Sequence, residues 1–124
     1  DRVRLLLENL DMGVDRYPKV AFPCQGGYKL IKCNTIQYCK AEGNYTQVKQ
    51  IDGSSFILAR TLKKVEEQLP PNLFLRIHKS YIVNLNYVKG YLNTDGCYVI
   101  LTSNQRLPIS SRKKTAVIEK LIIN

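Results

Sequence analysis

Apolar and polar residues alternate in short runs along most of this 124-residue chain. Val20–Phe22, Tyr28–Ile31, Ile36–Cys39, Tyr45–Ile51 and Phe56–Leu58 are rich in β-branched, aromatic and aliphatic residues. Between them stand Gln25-Gly26-Gly27, Lys32–Thr35, Glu42-Gly43-Asn44 and Asp52-Gly53. Runs of this kind suit a pleated, half-buried backbone, and glycine with Asn or Asp supplies the turns. Asp-Gly between two such runs predicts a hairpin. The same texture resumes in Leu73–Ile77, Tyr81–Val83, Tyr87–Leu92, Cys97–Leu101 and Arg106–Ile109, with turns at Asn93–Gly96 and Ser103-Asn104. A strand about every ten residues predicts an antiparallel, mostly β fold.

Two stretches break that rhythm. In Arg60–Leu69, Leu62, Val65 and Leu69 recur at helical spacing, Thr61 can cap the N-terminus, and Pro70-Pro71 stops the run. A second helix is expected from about Ser111, capped by Ser110 or Ser111, with Val117, Ile118, Leu121 and Ile122 as its apolar face. Arg112, Lys113 and Lys114 then fall in its first turn. There the helix dipole is already positive and unsatisfied N–H groups point outward, so an anionic partner would relieve both. A solvated basic turn is the plainer alternative. Asp1–Leu10 suits a short helix ended by Met12-Gly13. The chain begins with Asp1 and lacks a signal-peptide pattern, so it is expected to be cut from a longer protein. Residues 1–18 are then a linker from a missing upstream domain and 19–124 a single folded domain.

The pattern is most informative at Phe74–Asn84. Two β-prone pieces, Phe74–Ile77 and Tyr81–Val83, flank the polar knot His78-Lys79-Ser80. A histidine and a lysine held side by side on a rigid support suit an anionic ligand; a plain surface turn fits the same local residues.

Composition sharpens this. Nineteen Lys and Arg against ten Asp and Glu give a net charge of +9. Such a charge favours association with polyanions, nucleic acid first among them. An anionic membrane surface or mere solubility would also use it. Hydrophobic residues make up 44%, enough for a core. No apolar run approaches membrane-spanning length. Cys24, Cys33, Cys39 and Cys97 form no C-x-x-C pair, and the chain has one histidine. No metal or cofactor site is therefore expected, and the thiols are expected free and mostly buried in a reducing cytoplasm.

Catalytic chemistry is poorly supplied, and no catalytic residue is assigned. His78 has no carboxylate nearby in the chain, Ser80 alone makes no nucleophile pair, and G-x-S-x-G and glycine-rich phosphate loops are missing. Binding chemistry is better supplied. Glu42-Gly43-Asn44-Tyr45, His78-Lys79-Ser80 and Ser110-Ser111-Arg112-Lys113 each follow a β run. Asn and Arg can pair with base edges, while Lys, Ser and backbone N–H groups suit phosphate. Zinc-finger and aromatic RNA-binding patterns are absent, so loops on a β scaffold are indicated rather than a recognition helix.

These residues together resemble a known family. Ile36–Thr46, reading I-Q-Y-C-K-A-E-G-N-Y-T, resembles the "I-x-Y-I-E-A-x-G-N-Y" segment of LytTR-type DNA-binding domains. Arg60-Thr61-Leu62, Leu69-Pro70 and Phe74–Asn84 resemble that family's "R-x-S-L … L-P … F-x-R-I-H-R-S-Y-I-V-N", and Leu107–Arg112 its closing "L-P-V-S-R". The resemblance runs in order from about Lys19 to Ile123.

It implies an elongated antiparallel β-sandwich of small sheets with short flanking helices. It also implies promoter DNA as partner, read by loops in successive grooves. Two protomers would sit on direct repeats, behind a phosphorylatable receiver domain. Carried over by position, the contacts would be Glu42, Asn44 and Tyr45 in the first loop, Lys79 with its neighbour His78 in the second, and Ser110, Arg112 and Lys113 in the third. Arg76 would be a support or phosphate residue.

Three departures matter. Lys32–Thr35 replaces an acidic "D-D" before Ile36. Ser111 separates Ser110 from Arg112. Lys79 stands where Arg is common; a lysine is a point charge and suits positioning better than base reading. The alternatives to a sequence-specific DNA reader are a general polyanion- or membrane-surface-binding module and a protein-interaction domain whose charge serves solubility.

Overall fold

The computed structural model describes residues 18–123. The helix expected at Asp1–Leu10 and most of the predicted linker lie outside these residues.

Ten strands and two α-helices follow the sequence pattern closely. The strands are β1 Lys19–Cys24, β2 Gly27–Lys32, β3 Ile36–Glu42, β4 Tyr45–Gln50, β5 Ser55–Leu58, β6 Phe74–His78, β7 Tyr81–Asn84, β8 Val88–Leu92, β9 Tyr98–Leu101 and β10 Arg106–Pro108. Helix α1 spans Leu62–Gln68 and α2 spans Lys114–Ile123. Two 3₁₀ turns, Cys33–Thr35 and Leu85–Tyr87, stand where the polar pattern predicted a turn and the start of a strand. Thr61 caps α1, its hydroxyl accepting from the Lys64 N–H at 3.3 Å, as its position predicted.

All pairing is antiparallel within three sheets: β1-β2, β10-β9-β8, and a central β5-β4-β3-β7-β6. The central sheet is covered on both faces. On one face β1, β2 and α1 build a core of Val20, Phe22, Ile31, Cys39, Val48, Val65, Phe74 and Ile82. On the other, β8–β10 and α2 pack Val99, Leu101, Leu107 and Val117 against Tyr38, Ile77 and Val83. Neighbouring residues therefore serve opposite cores: Tyr38 and Cys39 on β3, Val83 and Ile82 on β7. That is the period-two side-chain alternation of a strand, used on both sides. The result is the expected mainly β stack of small antiparallel sheets with flanking helices.

A buried asparagine pins this stack. Asn84 is 1% exposed; its Nδ2 donates to the carbonyls of Cys33 (3.2 Å) and Ile36 (2.9 Å), and its Oδ1 accepts from Asn86 N–H at 3.0 Å. It ties the end of β7 to the 3₁₀ turn and to the first residue of β3, supplying a donor to the Ile36 carbonyl and a second one to the Cys33 carbonyl, which already accepts from Ile36 N–H.

Two details of α2 differ from expectation. The helix starts at Lys114, after a turn closed by Lys113 N–H donating to the Ser110 carbonyl at 3.0 Å. Arg112 and Lys113 thus stand in the turn ahead of the helix, not in its first turn. The Lys113 carbonyl already accepts from Val117 N–H, so no serine occupies the capping position. Of the apolar face, Val117 is buried but Ile122 is 77% exposed.

Cysteine expectations hold in part. All four thiols are free; Cys33 and Cys39 are buried, Cys97 is half-buried and Cys24 is exposed. Burial pushes the Cys39 thiol up to about 12 and raises that of Cys33 too.

Candidate nucleic-acid interface

The three predicted loops lie together at one end of the central sheet. The first is the β3–β4 tip, with Glu42 paired to Tyr45 across it. The second is the β6–β7 tip, with His78 paired to Tyr81. β3 and β7 are hydrogen-bonded neighbours, and Ala41 N–H donates to the Ser80 carbonyl at 2.8 Å, so the two tips stand side by side. The third segment is stitched to β6 by Ser110 N–H donating to the Ile77 carbonyl at 2.9 Å, one residue before His78. Sequence distance gave no hint of this last join.

The second and third loops share one cleft. Arg76, His78, Lys79, Ser110, Arg112 and Lys113 line it, and its volume is about 540 Å³. Lys79, Arg112 and Lys113 are exposed, and none forms an ion pair among the described residues. Three free cations and no carboxylate on the walls make the cleft an anion trap.

His78 is held from two sides. Its Nδ1 accepts from Ser80 N–H at 3.1 Å, and its ring meets the Tyr81 ring edge-on at 6.0 Å. An acceptor at Nδ1 leaves the neutral ring's proton on Nε2, which has no partner among the described residues and can donate outward.

Arg76 turns its guanidinium inward on the knot. Nε donates to the His78 carbonyl at 3.0 Å, Nη2 to the Lys79 carbonyl at 2.7 Å, and Nη1 meets Glu66 of α1 at 3.0 Å. A register shift between Arg76 and His78 bends β6 there. Three of its five N–H donors are thus engaged, two of them in shaping the His78–Lys79 turn, while Arg76 still lines the cleft. Of the two roles left open for it, the geometry favours support.

The first loop is arranged differently. Asn44 and Tyr45 are exposed, Tyr45 by 53%. Glu42 pairs with Lys40 at 3.6 Å, with both side chains about half exposed, so its carboxylate is partly occupied. Asn44 does not reach the large cleft. It lines a separate shallow depression with Ala59, Arg60, Thr61 and Lys64. Arg60 and Lys64 were not among the predicted contacts; the signals that could have flagged them were their basic character and, for Arg60, its place in the family segment R-x-S-L.

No group of three or more His, Cys, Asp or Glu side chains gathers among the described residues. No helix among them is long and apolar enough to cross a membrane.

Comparison with known proteins converges on one family. The family model of the LytTr DNA-binding domain matches residues 26–122. The chain is 41% identical over 56 residues to the CO-responsive transcriptional regulator RcoM of Rhodospirillum rubrum, covering 45% of this chain and 23% of that protein. It is 27% identical over 95 residues to the sensory transduction protein LytT of Bacillus subtilis, covering 74% of this chain and 39% of LytT. The chain thus spans well under half the length of these relatives. Its fold is similar to the LytTr DNA-binding domain of a putative methyl-accepting/DNA response regulator from Bacillus cereus, with a TM-score of 0.69 and 23% identity, covering 83% of this chain and 95% of that one. With the family pattern matched across most of its length and the same fold beneath it, this chain belongs to the LytTr DNA-binding domain family.

Proposed function

We propose that this domain reads duplex DNA sequence-specifically, through three loops at one end of its central sheet, as the output domain of a two-component response regulator. The observation that carries this is the convergence of Lys79, Arg112 and Lys113 on one acid-free cleft beside the Asn44 tip. Five strands at about 4.8 Å spacing make that sheet end about 19 Å across, wide enough to follow a duplex for about half a helical turn.

Roles divide by chemistry. Arg112 is exposed and carries a planar fork suited to a guanine edge. Asn44 can make the corresponding paired bonds to adenine. Tyr45 adds an exposed ring at the same tip. Lys79 and Lys113 suit phosphates, Ser110 can donate its hydroxyl to one, and the Nε2–H of His78 is a further donor in the same cleft. Glu42, tied to Lys40, limits how closely phosphate approaches the first tip. Arg76 holds the second loop in shape. No step in this function needs a catalytic residue or a cofactor.

Residues 19–124 would form the DNA-binding unit, joined through residues 1–18 to a receiver domain. A second protomer would occupy a repeated half-site on a promoter, in the cytoplasm where the DNA lies. RcoM is a transcriptional regulator and LytT a sensory transduction protein by name, which supports a regulatory setting.

In vitro selection from a random duplex pool tests this reading. A direct repeat is expected to emerge. Binding without enrichment of any sequence would support a general polyanion-binding module instead, and no binding at low salt would support a protein-interaction domain.

A further inference from the structure

The proposed contacts leave one charged feature of the sheet end unused. Arg60 lies two residues beyond β5, an edge strand of the central sheet, and Lys64 is the third residue of α1. The pairing of Thr46 with Leu58 returns β5 to the same end as the loop tips. Two hydrogen bonds then fix the backbone there. The buried Thr46 hydroxyl donates to the Arg60 carbonyl at 2.8 Å, and the Thr61 hydroxyl accepts from Lys64 N–H at 3.3 Å. Leu62 and Val65 are buried in the core, which leaves Lys64 on the exposed face of α1.

Together with Asn44, Ala59 and Thr61, the two cations line a depression of about 500 Å³. None of the lining residues is acidic. Two carboxylates near the row are engaged elsewhere, Glu66 with Arg76 and Glu42 with Lys40, and the exposed Glu67, three residues beyond Lys64 on α1, forms no ion pair with it. Neither Arg60 nor Lys64 has an ion pair among the described residues. They line one depression as like charges, which gain nothing from each other. They are well placed for a ligand that brings its own negative charge.

Resting on the DNA-binding reading above, we infer that Arg60 and Lys64 form a phosphate-binding site for the DNA backbone, at the opposite end of the row from Arg112. The row then runs from Arg60 and Lys64 through Asn44 and Lys79 to Arg112. Its two ends grip the duplex backbone while Asn44 is held against the groove between them. The site reads charge and spacing, not bases, because it sits beyond the loop tips on the sheet's flank.

The test is the salt dependence of binding to the site obtained by selection, for the wild-type chain and for Arg60→Gln/Lys64→Gln. Each lost phosphate contact lowers the slope of log affinity against log salt by about 0.9, so the double variant is expected to bind with a slope about two units shallower. Its preference for matched over mismatched sites is expected to stay unchanged. Ethylation interference is expected to lose one or two sensitive phosphates on one flank only. Should the double variant unfold, the exposed Lys64→Gln alone is expected to lower the slope by about one. A wild-type slope in a folded variant overturns the inference while leaving the DNA-binding reading intact. Lost discrimination between sites with an unchanged slope also overturns it. A wild-type chain that binds no duplex at low salt overturns both.

Discussion

Arg76 grips the residue it presents: its Nη2 donates to the Lys79 carbonyl at 2.7 Å, three residues ahead, while Nε takes the His78 carbonyl at 3.0 Å. The Lys79 side chain is thereby aimed by its own backbone, which hangs on a neighbouring guanidinium. The Arg76 side chain is 18% exposed, whereas its partner Glu66 is 45% exposed. The two carbonyl bonds therefore matter more than the half-solvated ion pair, which is worth about 0.2–1 kcal/mol.

This ranking predicts the behaviour of Arg76 variants. Arg76→Ala is expected to weaken DNA binding at least as much as losing Lys79, with a stability loss of about 1.5–3 kcal/mol from the charged hydrogen bonds. Arg76→Lys is expected to rescue little, because an ammonium cannot fork to both carbonyls. Glu66→Gln is expected to change binding only slightly. Denaturant titration and affinity for a fixed duplex read all three; full rescue by lysine would show that charge alone is needed at this position.

Lys79 and Arg112 should fail differently although they share a cleft. Lys79→Ala is expected to weaken binding on every sequence and to make the salt slope shallower by about one. Arg112→Ala is expected to cost about 1–3 kcal/mol on the selected site and to relax discrimination at one base position. Equal loss on all sequences for Arg112→Ala would reassign it to the backbone.

Asn84 offers a purely structural prediction. Asn84→Leu removes one donor each from the Cys33 and Ile36 carbonyls and the acceptor of Asn86 N–H; the Cys33 carbonyl keeps its bond from Ile36 N–H and Asn86 is exposed, so the Ile36 carbonyl is the group most affected. A loss of about 1–3 kcal/mol is expected. Chemical denaturation measures it; a stability within 0.5 kcal/mol of wild type, or roughly the range of neutral surface changes, would mean that the Ile36 carbonyl finds another partner.

The buried thiol at Cys39 gives a pH dependence with a definite sign. Folding holds its pKa at about 12, while the unfolded thiol ionises near roughly 8.5–9. Below pH 8.5 or so both states keep the proton and Cys39 contributes no slope. Above that, the unfolded state loses its proton first, so stability falls by about 1.4 kcal/mol per pH unit until about pH 12. Cys39→Ala is expected to flatten that part of the stability profile, measured by denaturation between pH 8 and 11. In the native protein at pH 8, an alkylating reagent is expected to modify the exposed Cys24 and spare Cys39. An unchanged profile in Cys39→Ala would place the titration elsewhere.

Much of the local structure was readable before any coordinates. Period-two runs located all ten strands, Thr61 and Pro70-Pro71 bracketed the first helix, and Asp52-Gly53 lies in the β4–β5 connection. These are short-range effects of side-chain branching, capping and turn chemistry, so a window of a few residues contains them. The chemistry of the three loops was legible for the same reason: Asn44, Lys79 and Arg112 carry their donors wherever the chain puts them.

What the tertiary structure decided was company. The order β5-β4-β3-β7-β6 places β3 against β7, some forty residues on, and sets Arg60 in the same row as Lys79. Arg76 became a buttress because β6 bends just beyond it. The second helix began at Lys114 because the Ser110–Lys113 turn was claimed by β6 and by its own closing bond. Pairing between distant strands is chosen by which arrangement buries both faces of the central sheet. That is a property of the whole chain, and no local pattern encodes it.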